Sequence, residues 1–300
     1  MKLVAYGPPG DEEPGLLVGE DVVSLAPLLK QTGGPLCSDL SGAIQVWRSI
    51  EQKIRSDGLR HLPRLSRDAV RLAAPLRRPG KIVGVGSNYR SADGTAPDIP
   101  ANSILFLKPA SSIVGPGEAI MLPREAMLVV GEVELAIVIG KAAWRVSESK
   151  AMDHVFGYMI ANDVTAPEVL LGESRRNPLF LQAARGKGYP TFCPLGPWIV
   201  TIDEVADVGD LLLEQFVNDE VELVGAASLM VRSVASLVHE VSEAFGLEAG
   251  DVILSGSPRP SSARRPLVHG DVLRSRISGL GELANPVHRE PKDATAGSQR

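Results

Sequence analysis

Beyond residue 80 the chain is written almost entirely in short apolar runs closed off by glycine or proline. Lys81 to Gly86, Ser103 to Leu107, Gly131 to Gly140, Val155 to Ala161, Trp198 to Ile202, Asp251 to Leu254 and Asp271 to Ile277 are examples. Runs of this length suit strands and are too short for stable isolated helices. The 30 glycines and 23 prolines put a turn signal after most of them. Many short strands joined by tight turns bury their apolar faces by curling over one another. The expected fold class is α+β and mainly β.

Helical stripes are few. Val234, Leu237, Val238, Val241 and Phe245 recur at helical spacing, with Ser233 placed to cap the start and Gly246 to stop the end. A second stripe, Ala43, Trp47, Ile50 and Ile54, predicts a helix over Ser41 to Ser56 with Gly58 just beyond it. That helix falls in the first 75 residues, where Lys2 to Tyr6 and Leu16 to Leu25 read as strands. Pro75 to Pro79, enclosing Arg77-Arg78, reads as a linker. The expected organisation is a small N-terminal domain over 1–75, a main domain over 76–288, and a polar, aperiodic, disordered tail over 289–300.

A net charge of −5 and a pI near 5.6 argue against nucleic acid or an anionic membrane as partner. No stretch approaches the roughly 20 apolar residues of a membrane span. Two cysteines, Cys37 and Cys193, supply neither a disulfide framework nor a thiolate metal site. The opening segment breaks at Gly7-Pro8-Pro9 before any signal-peptide core forms, so the expected location is cytoplasmic.

One apolar run is chemically anomalous. In Gly131-Glu-Val-Glu-Leu-Ala-Ile-Val-Ile-Gly140, strand alternation puts Val133, Leu135, Ile137 and Ile139 on one face. Glu132 and Glu134 share the other with Ala136 and Val138. Two adjacent carboxylates in an apolar strand repel each other and lose hydration, so they need a positive partner. Asp163 ends a second run, Gly157 to Asp163, and could join them. Three carboxylates favour Mg²⁺ or Mn²⁺, with Ca²⁺ possible. On spacing alone, an alternative is that Asp163 caps a turn and one glutamate pairs with an arginine. Lys187, between two glycines in the Arg185 to Trp198 segment, reads as part of a stiff, irregular loop. A lysine there could neutralise a developing enolate or be merely solvated. The five histidines, at 61, 154, 239, 269 and 288, fall in none of these segments.

These stretches, with Lys81 to Arg90, Ile104 to Pro109, Ala161 to Thr165, Thr191 to Trp198 and Gly250 to Pro258, resemble in order and spacing the fumarylacetoacetate hydrolase family. The resemblance covers about Lys81 to His288. It implies a mixed β-roll catalytic domain behind a small N-terminal domain, paired as a homodimer. It also implies one Mg²⁺, Mn²⁺ or Ca²⁺ held by Glu132, Glu134 and Asp163, with Lys187 in the catalytic site. Tyr89 and Arg90 would contact substrate. Ser257 would anchor its carboxylate, in place of the usual threonine of a Gly-Thr-Pro turn. Family members act on 2-oxo acids and β-dicarbonyl compounds.

The chain departs from the family pattern at the lid. After Asn88-Tyr89-Arg90 the family has Asp-His and then a glutamate; here Ser91-Ala92 and Thr95 stand there. Neither alanine nor an unactivated threonine is a base near neutral pH. Pro167 and Leu170 likewise replace a usual arginine and glutamine. Asp93 or Asp98 could supply a lid carboxylate, and Arg175 or Arg176 a guanidinium. The expectation is a divalent-metal enzyme cleaving a C–C bond of an acylpyruvate-like acid by hydrolysis or decarboxylation. The alternatives are enol–keto isomerisation or a non-catalytic role in binding a metabolite or partner.

Overall fold

The structure, a computed structural model, describes residues 1–35, 39–91, 93–95, 100–124, 128–174, 176–260 and 263–289. Cys37, Asp98, Arg175 and the tail beyond Arg289 lie outside the described residues; Arg289 itself ends a strand. The fold is mainly β, built on two mixed sheets of twelve and five strands. The path of the larger sheet runs Arg64–Ser66, Asp21–Ser24, Glu13–Val18, Lys2–Tyr6, Cys193–Thr201, Val155–Asn162, Val133–Ile139, Val252–Leu254, Ile82–Gly86, Ile104–Lys108. The smaller runs Glu220–Ala226, Leu212–Val217, Val272–Ile277, Gly281–Arg289, Ile120–Leu122. No helix among the described residues is long and apolar enough to cross a membrane.

Val133–Ile139 is buried along its whole length because it has a core on each face. Val133, Leu135, Ile137 and Ile139 pack in one cluster with Leu237, Val238 and Val241 of the helix Val234–Ala244. Ala136 and Val138 pack in another, with Leu3, Leu25 and Ile50 from the first 75 residues. That first segment shares more than a core with the rest: Lys2 and Leu3 pair with Val200 and Ile199, so its strands extend the larger sheet.

Several elements differ from the sequence reading. Leu16 to Leu25 is part of a hairpin, Glu13–Val18 and Asp21–Ser24, that turns through Gly19 at φ 63°. The helix over 41–56 divides at Val46, whose φ of −112° leaves the helical region, into Ser41–Gln45 and Trp47–Asp57. Gly58 caps the second piece as expected. Ser233 caps Val234–Ala244, its Oγ accepting the Ser236 N–H at 3.1 Å, while Phe245 rather than Gly246 ends it. The irregular loop read over Arg185 to Trp198 is instead a short helix, Ala183–Lys187, followed by the strand Cys193–Thr201. That strand sits between two others and completes their ladders, and a register shift opposite Gly196 accommodates its prolines.

Pairing register brings the functional segments to one rim. Val133 lies opposite Asn162, so the start of one strand meets the end of the next. Ala136 opposite Leu254 and Leu254 beside Gly84 bring the ends of Val252–Leu254 and Ile82–Gly86 there too. A buried polar cluster holds the rim to the smaller sheet. Asn162 Oδ1 accepts the Glu132 N–H at 2.9 Å, and its Nδ2 donates to Gln215 Oε1 and Ser275 Oγ, both at 2.9 Å. Gln215 Nε2 donates in turn to the Gly131 carbonyl at 3.0 Å. Asn162→Ala leaves these groups buried without partners and is expected to cost about 2–4 kcal/mol. Urea denaturation at an unchanged slope would measure it.

Candidate metal centre and active site

Glu132 directly precedes Val133–Ile139, Glu134 lies within it, and Asp163 directly follows Val155–Asn162. The Asp163 N–H donates to the Glu132 carbonyl at 2.8 Å, extending the ladder past the strand ends and fixing both side chains toward one cavity. One carboxylate oxygen from each of Glu132, Glu134 and Asp163 lies within 4.8 Å of the others. Glu134 and Asp163 are buried and Glu132 is partly so.

Two ammonium groups oppose this charge. Lys187 Nζ donates to Glu132 Oε2 at 2.9 Å, to Thr165 Oγ1 at 2.8 Å and to Asp163 Oδ2, which uses all three of its N–H bonds. Lys108, fully buried, donates to Asp163 Oδ1 at 2.6 Å and to the Lys187 carbonyl. Burial pushes Asp163 up, but Lys108 and Lys187 outweigh it and hold the carboxyl below its ordinary value. Burial likewise pulls Lys187 down, and Asp163 and Glu132 more than reverse this, so the group stays an ammonium. Glu134 is different. Its hydrogen-bond donor is the Gly256 N–H at 2.7 Å, while burial and then the Asp163 charge push it well above the carboxylate range.

Glycine makes two of these contacts possible. Gly256 has a φ of 90°, which favours glycine and turns its amide toward Glu134. A Cβ on Gly84 would lie 2.1 Å from the Phe106 ring. Phe106 therefore lies against that backbone, with Lys187 Nζ 4.9 Å from its ring centroid. The short helix carrying Lys187 is placed by Pro167–Leu171: the Ala166 N–H donates to the Gly186 carbonyl at 2.8 Å, and Leu170 packs on Gly186.

The cavity bounded by these groups holds about 180 Å³ and is also lined by Ser87, Ser257, Arg259 and Arg264. The structure thus brings together Glu132, Glu134, Asp163, Lys187 and Ser257. It does not bring Tyr89, Arg90 or Asp93 to that lining. Tyr89 is buried in the core beside Met230, and burial pushes its hydroxyl up. Arg90 turns away to the Met230 carbonyl at 3.3 Å. Asp93 is exposed and accepts the Thr95 N–H at 2.9 Å, which lowers its pKa and makes it a weaker base. It lines a neighbouring cavity that shares Arg259 and Pro260 with the first. Arg176 pairs with Glu173 on the surface at 2.9 Å. Lys108, Thr165 and Arg264 were not singled out from the sequence. Lys108 stood within the Ile104 to Pro109 stretch and Thr165 within Ala161 to Thr165, but no local pattern marked Arg264.

The donor set fits a hard divalent cation. Three carboxylate oxygens converge where water has little access, and Glu134 lacks the positive contact that would hold it ionised. Mg²⁺, Mn²⁺ and Ca²⁺ all accept such a set.

Residues 81–288 match the family model described as fumarylacetoacetate (FAA) hydrolase C-terminal. The human protein oxaloacetate tautomerase FAHD2A, mitochondrial, is 41% identical over 232 residues, covering 75% of this chain and 72% of the relative. A crystal structure of maleylpyruvate hydrolase from Sphingobium aligns with a TM-score of 0.81 at 28% identity, over 97% of this chain and 100% of that one. Another structure of that enzyme contains manganese(II) and pyruvate. The 5-carboxymethyl-2-hydroxymuconate delta-isomerase of Mycobacterium smegmatis aligns at 0.75 and 30% identity, again over 97% and 100%.

Mn²⁺ is expected to raise the melting temperature of the wild-type protein. Saturation at 100 times Kd corresponds to about 2.7 kcal/mol. Glu134→Gln is expected to remove most of this gain while leaving the metal-free protein folded, as differential scanning calorimetry with and without Mn²⁺ would show.

Proposed function

The chain belongs to the fumarylacetoacetate hydrolase family, and we propose that it is a divalent-metal-dependent enzyme that enolises a small 2-oxo or β-dicarbonyl acid. Keto–enol isomerisation is the favoured net reaction. The observation that carries this reading is the convergence of Glu132, Glu134, Asp163 and Lys187 on one cavity whose described lining contains no histidine. Glu132, Glu134 and Asp163 would hold the cation. When bound there, a Mg²⁺ or Mn²⁺ ion supplies Lewis acidity to the acid's keto and carboxylate oxygens.

The chain's own residues supply the rest. Lys187 Nζ, held as an ammonium, places a positive charge beside the oxygen that becomes negative as the enolate forms, and the hydrogen bond it gives Glu132 would be exchanged for one to that oxygen. Lys108 fixes Asp163 and the Lys187 carbonyl and so keeps the pair in place. Ser257 offers its hydroxyl to the carboxylate. Phe106, packed against Gly84, closes one side of the cavity to water.

Which bond to the carbon beside the keto group breaks decides the product: C–H in isomerisation, C–C in cleavage. Hydrolytic cleavage needs a base to activate water, and decarboxylation mainly charge stabilisation. Isomerisation needs a group that gives a proton to carbon and regains the one the enol oxygen releases, the part assigned here to Lys187. The family's lid histidine is Ala92 here, which weighs against hydrolysis and leaves isomerisation and decarboxylation. The identity with the human oxaloacetate tautomerase favours the proton shift of these two. C–C cleavage, by hydrolysis or decarboxylation, is the second reading, supported by the likeness to maleylpyruvate hydrolase across almost the whole chain.

With Mn²⁺ present, the wild-type protein is expected to speed enol–keto conversion of oxaloacetate, followed by the loss of enol absorbance. Lys187→Met should lower kcat by about 10²–10⁴-fold, and Glu132→Ala or Asp163→Ala should return the rate to background. Pyruvate released from oxaloacetate or an acylpyruvate faster than enol conversion would move the assignment to cleavage. No acceleration of either process would overturn the enzymatic reading.

A further inference from the structure

We infer that Arg264 is a positioning residue: its guanidinium occupies an acceptor lone pair of Ser257 and so directs the Ser257 hydroxyl hydrogen into the cavity, toward the substrate carboxylate. This rests on the reading above and deepens it, since Ser257 becomes a donor of fixed direction. Arg264 Nη2 donates to Ser257 Oγ at 3.1 Å and to the Pro258 carbonyl at 3.3 Å, and Nη1 donates to the Gly131 carbonyl at 2.9 Å. All three acceptors are neutral and belong to the protein frame. Both Nη2 hydrogens and one Nη1 hydrogen are thereby used, so the group serves the cavity wall in which it lies half-buried. A serine hydroxyl has one hydrogen to give and two lone pairs to offer. Among the described residues Ser257 gives that hydrogen to no protein acceptor. With Arg264 held on one lone pair, the hydrogen has the cavity side left to it.

Serine needs such a partner. It lacks the γ-methyl that stiffens threonine at χ1, so by itself its hydroxyl can turn among three staggered wells. The backbone on either side of it is already fixed. The Gly256 N–H is committed to Glu134 at 2.7 Å, and Pro258 packs so closely on Gly225 that a Cβ there would lie 2.4 Å from it. What the backbone leaves open is χ1 of Ser257, and the Arg264 N–H selects one well. The bond to Gly131 ties the same guanidinium to the residue before Glu132. The end of the site that anchors a carboxylate and the end that holds a cation therefore keep a set spacing.

The test is a double-mutant cycle on the full chain, read as Mn²⁺-dependent binding of pyruvate by calorimetry. Ser257→Ala should weaken pyruvate by roughly 10-fold, the scale of one hydrogen bond to a charged group. Arg264→Met should weaken it by about 3- to 10-fold and keep the Mn²⁺-dependent rise in melting temperature. In the double variant the Arg264→Met loss should vanish, because no hydroxyl is left to direct. Ser257→Thr added to Arg264→Met should restore most of the binding, since the γ-methyl supplies the missing stiffness. Additive losses in the cycle overturn the inference and leave Arg264 as a charge that attracts the anion. Loss of the Mn²⁺ effect in Arg264→Met overturns it as well. In the otherwise wild-type chain Ser257→Thr should leave pyruvate binding unchanged; a clear gain overturns the inference without any change at Arg264. Unweakened binding by Ser257→Ala does the same. Failure of the wild type to bind pyruvate with Mn²⁺ would instead remove the reading beneath it, and this inference with it.

Discussion

Three carboxylates converging within one poorly hydrated cavity set the terms for the rest of the molecule. Like charges so close are tolerated only where positive charge is supplied by design, and here it arrives from two different directions. Lys187 approaches from a short helix and Lys108 from the far strand of the larger sheet, and both meet at Asp163. The two lysines cover Asp163 and reach Glu132, yet they leave Glu134 with an amide and a weaker pull from Lys187. That uneven compensation leaves Glu134 as the carboxylate whose charge a bound cation would satisfy.

Positioning is divided between rigid and adjustable parts. Every backbone segment that carries a carboxylate is tied on both sides, by the strand ladders and by the Asn162–Gln215–Ser275 cluster reaching to the smaller sheet. The Gly131 carbonyl is shared between Gln215 and Arg264, so the frame under Glu132 and that guanidinium are one structure. The first 75 residues belong to this frame, since their strands extend the larger sheet and their apolar side chains back Ala136 and Val138.

The sequence disclosed what local rules govern. Alternation placed Glu132 and Glu134 on one face, spacing marked the helix over 234–244, and Ser233 announced its cap. Strand ends pointed to Asp163. What local rules do not govern stayed hidden. Lys187 reads as a loop lysine because it is flanked by glycines and a helix of five residues carries no periodic signal; packing on Leu170 creates that turn. Val46 breaks a helix that the apolar stripe predicts as continuous. Arg264 lies in a polar stretch without pattern, and only the fold returns it to Gly131, 133 residues away. Family likeness supplied Tyr89 and Arg90 as contacts, but their burial and direction follow from how the segment after Gly86 folds against Leu229 and Met230.

The hydrogen bond from the Gly256 amide to Glu134 has a temporal side. The two residues are 122 positions apart. At synthesis rates of about 5–20 residues per second, the interval between them is on the order of 6–24 s. Throughout it the nascent strand bearing Glu134 has neither its neighbour Val252–Leu254 nor its amide. The carboxylate must spend that period in water, where its charge is cheap, while the apolar side chains beside it stay without one of their neighbours. A charge inside an otherwise apolar strand opposes self-association of the unfinished chain until the partner that allows its burial has been made.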